Sequence, residues 1–262
     1  MILALDVGNT NIEIGVLFNE PANYQVNHSI RFFTRLNITS DELALFILNF
    51  LKIKEINPKQ IKSMIFSSVV PPLNGRIKDM FCDYFNSDII EVNDKIDIGI
   101  VNCYKNPKEV GSDRLVNASG IYKLYKKNAI IVDMGTATTL DVLTNDGKYI
   151  GGAIVPGILT ATQALTEKAS RLPAISIQKK EYLLTDNTAE SIEAGVYFSN
   201  YYAMTGMIQK LAQEVGFKDY LKVGTGGFSR IFAYDNIFDI IDYSLSLKGL
   251  KVIYDLNKFA YC

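Results

Sequence analysis

The chain has 262 residues, with 27 Lys plus Arg against 28 Asp plus Glu, a formal net charge of −1, and 48% of its residues are hydrophobic. That is enough apolar material for one large or two modest domains, and the charge balance excludes a global field that would hold the chain on nucleic acid or an anionic membrane. No apolar stretch reaches the roughly 18 uncharged residues of a membrane span, and the first apolar run opens at Ile2, leaving no room for a signal peptide, so a cytosolic protein is expected.

Ile2 to Leu5 reads as a buried strand that delivers Asp6-Val7-Gly8-Asn9-Thr10-Asn11 into a tight turn, and Ile12 to Phe18 reads as the returning strand. His28 to Thr34 alternates as a third strand. Thr39-Ser40-Asp41-Glu42 opens a helix, with Thr39 as N-cap and Glu42 closing a capping box, and Leu43, Phe46, Ile47 and Phe50 form its apolar stripe. Ser63 to Val69 is a buried strand ending at Pro71-Pro72, and the helix after it carries Ile77, Met80, Phe81 and Tyr84. The second half opens at Gly111-Ser112-Asp113-Arg114 with a helix through Leu115, Ala118, Ile121 and Leu124. A second hairpin follows: Ala129 to Val132, then Asp133-Met134-Gly135-Thr136-Ala137-Thr138-Thr139, then Leu140 to Leu143. The two aspartates lie about one domain's length apart, which indicates a duplicated domain and not a solenoid.

The repeated Asp-x-Gly followed by small hydroxyl or amide side chains, each time between apolar strands, points to phosphate. Glycine lets backbone N–H groups approach an anion, threonine and asparagine add donors, and the aspartate can hold a cation or its waters. An ordinary tight turn uses the same residues, but a second copy in the same setting favours the phosphate reading. Neither a P-loop nor a Rossmann glycine pattern is present. Gly151-Gly152-Ala153-Ile154-Val155-Pro156-Gly157 and Gly224-Thr225-Gly226-Gly227 read as further close-approach segments, the latter beside an adenine, or as tight helix-sheet packing. Asp113-Arg114 at a helix start supplies a carboxylate able to orient or deprotonate a hydroxyl and a charge for a transferring phosphoryl group. The alternative is a dipole-complementing Asp beside a surface Arg. His28 has no histidine partner, which removes His triads and multi-histidine metal sites, and Cys82, Cys103 and Cys262 form no disulfide framework, with Cys82 read as helix packing.

These blocks, together with Ser67-Ser68-Val69-Val70-Pro71, run in order along almost the whole chain, and the sequence resembles a type III pantothenate kinase of the acetate and sugar kinase, heat-shock protein 70 and actin superfamily. The resemblance implies an α/β fold of duplicated ribonuclease H-like (actin-like ATPase) domains, 1–112 and 113–262, each a mixed five-stranded sheet flanked by helices, with a nucleotide cleft between them. It implies ATP-dependent phosphorylation of the primary hydroxyl of pantothenate, the first step towards coenzyme A. Asp6, Val7, Gly8, Asn9, Thr10, Asn11, Ile12, Glu13 and Thr136 would contact ATP, with Asp6 organising Mg²⁺ through water. Asp113 would be the general base, with Tyr104, Gly111, Ser112 and Arg114 around the substrate. Asp133 would hold a monovalent cation, K⁺ or NH₄⁺. Thr188 would contact substrate from the partner subunit of a homodimer, or serve as a plain helix N-cap before Ala189 to Phe198. After Arg230 the one recognisable family feature is Leu247-Lys248-Gly249-Leu250. A non-catalytic transcriptional accessory factor on the same fold, or another small-molecule kinase of the superfamily, is the alternative; the intact Asp113 and Asp133 argue against the first and the Gly111-Ser112-Asp113-Arg114 block against the second.

Overall fold

The computed structural model describes residues 1–169, 173 and 175–258; Cys262 lies outside them. In chain order the elements are β1 (Ile2–Val7), β2 (Asn11–Leu17), β3 (Val26–Phe33), α1 (Ser40–Ile53), β4 (Ser63–Ser68), α2 (Pro71–Phe85), β5 (Asp88–Glu91), β6 (Val101–Asn102), α3 (Ser112–Tyr125), β7 (Ala129–Met134), β8 (Ala137–Leu143), β9 (Lys148–Pro156), α4 (Ile158–Lys168), α5 (Thr188–Glu214), β10 (Leu221–Thr225), β11 (Ile240–Ile241) and α6 (Leu245–Asn257). They fall into two compact units: residues 1–125 with the C-terminal segment from Ser244, and Lys126–Tyr243. Among the described residues no helix is long and apolar enough to cross a membrane.

In the first unit the sheet runs β3-β2-β1-β4-β5. β1 is antiparallel to β2 and parallel to β4, and β4 is parallel to β5. β1 and β4 lie inside the sheet with both faces covered, which is why their sequences are near-continuous apolar runs instead of alternating ones. Alternate residues still serve different cores. Leu3, Leu5 and Val7 pack with Leu43 and Ile47 of α1 and Ile77 and Phe81 of α2. Ile2, Ala4 and Ile65 pack on the other face with Val116 of α3 and Leu247, Leu250 and Ile253 of α6.

The second unit repeats the pattern. Its strands run β11-β10-β7-β8-β9, with β7 antiparallel to β8 and parallel to β10, and β10 parallel to β11. Ile130, Val132, Met134 and Leu140 face Ile158 of α4 and Tyr197, Met204 and Ile208 of α5. The expected duplicated α/β topology is borne out over these five strands, although the second sheet has six strands instead of the expected five. The units, however, divide after residue 125 and again before Ser244, instead of once at 112/113. The reason is α6. It returns to the first unit, and α3 packs on it where Gly120 and Gly249 meet, a Cβ on Gly120 lying only 3.2 Å from the Gly249 Cα.

The first helix starts as its sequence dictates. The Thr39 hydroxyl accepts from Glu42 N at 3.1 Å and Glu42 Oε2 accepts from Thr39 N at 2.9 Å, a complete capping box. Those hydrogen bonds hold the Glu42 carboxyl below its ordinary value. This contribution is therefore present above the unfolded-state value of about 4.3 and disappears as pH falls through the lower folded value. Thr39→Ala is expected to lower the melting temperature by about 2–4 °C at pH 7, measured by calorimetry, with the difference shrinking in acid. Two stripe residues sit at the rim instead of the core: Phe46 stacks on Phe32 at 5.0 Å, and the Tyr84 hydroxyl donates to Asp41 at 2.6 Å. Cys82 is on the exposed side of α2 and does no packing, a correction to its sequence reading.

Candidate active site

The first hairpin is closed by its own backbone. Gly8 N donates to Asn11 O at 3.0 Å, and Thr34, at the end of β3, fastens the turn by donating from N to Thr10 O at 2.9 Å and from Oγ1 to Gly8 O at 2.6 Å. Val7 and Ile12 are each 1% exposed, so their side chains belong to the core and only their backbone faces any ligand. Asn9 is exposed and Asp6, Gly8, Thr10 and Asn11 are half-buried. Strand register sets Asp6 opposite Glu13 on one side and Ser67 on the other, with Arg31 opposite Glu13. Two carboxylates directly across a ladder repel; here Arg31 forms an ion pair with the buried Glu13 and offsets that repulsion next to Asp6.

The same row leads to α3. Ser67 Oγ donates to Ser112 Oγ at 2.8 Å, and Ser112 Oγ donates to Ser68 O at 3.3 Å, so the first residue of α3 is clasped to β4 beside Asp6. The Ser112 hydroxyl is thereby spent on the scaffold. Asp113 Oδ1 accepts from Arg114 N at 2.8 Å, in the first turn of α3 where the helix dipole favours a negative charge. A Cβ on Gly111 would lie 2.4 Å from Asp113 Oδ1, so only glycine lets this carboxylate turn back over the helix start. Arg114 is buried at 7% exposure, against the reading of it as a surface partner. Tyr104 is half-buried in the preceding loop, its N donating to Asn102 Oδ1 at 3.1 Å.

In the second unit Gly135 N donates to Ala137 O at 3.0 Å, so this turn also closes on its own backbone, one residue tighter than Gly8 N to Asn11 O in the first hairpin. The start of α4 grips the turn: Gly157 N and Thr160 Oγ1 both donate to Thr136 O, at 3.1 and 2.7 Å, while the Thr136 side chain stays exposed. Asp133 is half-buried, with Thr139 of β8 and Thr225 of β10 as its register partners. Gly226 has φ +81°, and a Cβ there would lie 2.5 Å from Asp133 Oδ1, so this glycine makes room for the carboxylate. Gly151 and Gly152 lie inside β9 instead of at a strand-to-helix junction. Thr188 is exposed and is the first residue of α5; the N-cap is Asn187, whose side chain accepts from Glu190 N at 3.0 Å. Thr188 lines a groove of about 520 Å³ with Thr185, Asp186, Asn187, Ser191 and Ile192.

Sequence reasoning missed Thr34, Arg31 and a cluster of half-buried Thr139 with buried Asp141 and Tyr149. Strand register brings these residues to their places, and no fixed spacing marks them. Among the described residues no group of three His, Cys, Asp or Glu side chains forms a ready metal cage. A magnesium ion here would keep water and phosphate ligands, which suits the lone carboxylate offered by Asp6.

A sequence model of the type III pantothenate kinases matches residues 2–210, a span that holds both hairpins, the start of α3 and Thr188. A type III pantothenate kinase from Dehalococcoides mccartyi is 38% identical over 260 residues, covering 98% of this chain and 98% of its own. The chain belongs to the type III pantothenate kinase family. Two solved structures share the fold of this type III pantothenate kinase family member. One is described as a conserved Baf family transcriptional activator from Campylobacter jejuni, with a TM-score of 0.61 at 19% identity, covering 98% of this chain and 100% of that one. The other is the activator of 2-hydroxyisocaproyl-CoA dehydratase from Clostridium difficile with bound ADPNP, with a TM-score of 0.54 at 13% identity, covering 99% and 96%. At such identities the likeness is one of fold, and it agrees with the actin-like ATPase class expected from the motifs.

Proposed function

We propose that this kinase transfers the γ-phosphoryl group of ATP to the primary hydroxyl of pantothenate, the first step towards coenzyme A, with Asp113 as the base that takes the hydroxyl proton. The observation that carries the assignment is the Ser67–Ser112 clasp, which fixes the helix bearing Asp113 to the strand next to Asp6. A carboxylate held at a helix start orients the acceptor hydroxyl even when the proton leaves late, since positioning and charge stabilisation carry most of phosphoryl transfer. Gly111, Ser112, Arg114 and Tyr104 surround the acceptor, and the Asp6 to Glu13 hairpin and Thr136 contact the nucleotide phosphates. When bound, Mg²⁺ reached through water from Asp6 and K⁺ or NH₄⁺ on Asp133 neutralise phosphate charge. Thr188, exposed at the rim of its groove, reaches the substrate of a second subunit in a homodimer.

A coupled ADP-release assay tests the reading: release should depend on pantothenate and rise with added KCl or NH₄Cl. Equal release with and without pantothenate would overturn it. Asp133→Ala is expected to weaken cation activation and ATP use together, and an unchanged potassium dependence in that variant would refute the cation role while leaving the kinase reading intact.

A further inference from the structure

The row across the second sheet is Thr139–Asp133–Thr225, three register partners on one face at the ends of β8, β7 and β10. A threonine hydroxyl has a single proton to donate and two lone pairs. Thr139 gives its proton to Asp141 Oδ2 at 3.0 Å, and Thr225 gives its own to Asp242 O at 2.7 Å. Asp141 is 1% exposed and its other oxygen accepts from the Tyr149 hydroxyl at 2.6 Å, Tyr149 itself being fully buried. Both carboxylate oxygens thus hold a hydroxyl proton, and the direction of the Thr139 hydroxyl is fixed from below. Thr225, 4% exposed, is fixed in the same sense by a backbone carbonyl. On either side of Asp133 the neighbouring hydroxyl therefore offers lone pairs only.

We infer that Thr139 and Thr225 are the neutral oxygen ligands of a monovalent-cation seat centred on Asp133, and that Asp141 and Tyr149 are positioning residues that hold the Thr139 hydroxyl in its accepting orientation. The inference rests on the proposed cation role of Asp133. Its chemistry selects the ion. One carboxylate with two hydroxyl oxygens carries too little charge for a tightly held divalent cation and suits a large, weakly hydrated monovalent one. The alternative use of these threonines, donating to a phosphate oxygen, is closed because their protons are already committed.

The test reads cation binding by thermal shift, titrating KCl against choline chloride at constant ionic strength with a non-hydrolysable ATP analogue present. Thr139→Val and Thr225→Val are each expected to raise the KCl concentration at half-maximal stabilisation by about 10-fold or more, with Thr139→Ser and Thr225→Ser near wild type. Tyr149→Phe is expected to raise it by about 10-fold, as loss of an outer support commonly does. If a valine variant does not fold, the matching alanine variant is read in the same titration. Wild-type midpoints in both valine variants, with loss of the response in Asp133→Ala, overturn the hydroxyl seat and leave the Asp133 assignment standing. A K⁺ response that survives Asp133→Ala, or is missing from the wild type, overturns both.

Discussion

Asp113→Asn is expected to lower kcat for pantothenate phosphorylation by about 10²- to 10⁴-fold, the usual contribution of a general base. The substitution is chosen for what it leaves alone. Asparagine has the same shape, its Oδ1 still accepts from Arg114 N, and it serves as well as aspartate at a helix start, so α3 keeps its first turn. The close approach allowed by Gly111 is unchanged, and Ser112 remains tied to Ser67 and Ser68. What is lost is the negative charge and the ability to take a proton. KM for ATP and the melting temperature should therefore stay near wild type while turnover collapses, a split that a merely structural aspartate would not produce. The coupled ADP-release assay gives the rates and calorimetry gives the fold control. Wild-type turnover in Asp113→Asn would remove the base assignment and leave the fold and family untouched.

The parts of this molecule legible in its sequence are those with a local cause. Thr39 and Glu42 form their capping box because both partners lie within one turn, and the two Asp-x-Gly hairpins close through bonds between neighbours. The buried strands β1, β4 and β7 announce themselves as apolar runs. Where the cause is long-range, the sequence is silent. β5 is a four-residue strand with an acidic residue at each end, and its place follows from parallel pairing with β4. Helix α5 extends from Thr188 to Glu214, beyond the expected end near Phe198, because its buried Met204 and Ile208 answer a sheet far away in sequence. The Asp113-Arg114 pair was readable as a helix start carrying charge, but the burial of Arg114 and the serine clasp depend on β4, 45 residues earlier in the chain at Ser67. The largest surprise, the return of α6 to the first unit, depends on a glycine whose partner is the backbone of another helix.

That glycine supports the second large prediction. Gly249→Ala is expected to destabilise the protein by about 3 kcal/mol, at the upper end of what overpacking a well-filled site costs. Two effects compete. Alanine in a helix interior gains roughly 1 kcal/mol over glycine, but a Cβ at Gly249 would lie 2.1 Å from the Val116 carbonyl oxygen and 2.8 Å from its carbon. Both are backbone atoms of α3, so no side-chain rotamer relieves the clash and the two helices must separate. Separation loosens Leu247, Leu250 and Ile253 from the sheet face formed by Ile2, Ala4 and Ile65, which is why the clash outweighs the propensity gain. It also shifts α3, the helix that carries Asp113, so kcat should fall along with stability. Gly75→Ala in α2 is the matched control, since nothing lies within 4 Å of its added Cβ, and there the propensity gain of about 1 kcal/mol should appear undiminished. Denaturant melts of the two variants against wild type decide the matter: opposite signs are expected, and a Gly249→Ala protein as stable as wild type would mean that the α3–α6 contact is looser than the glycine pair requires.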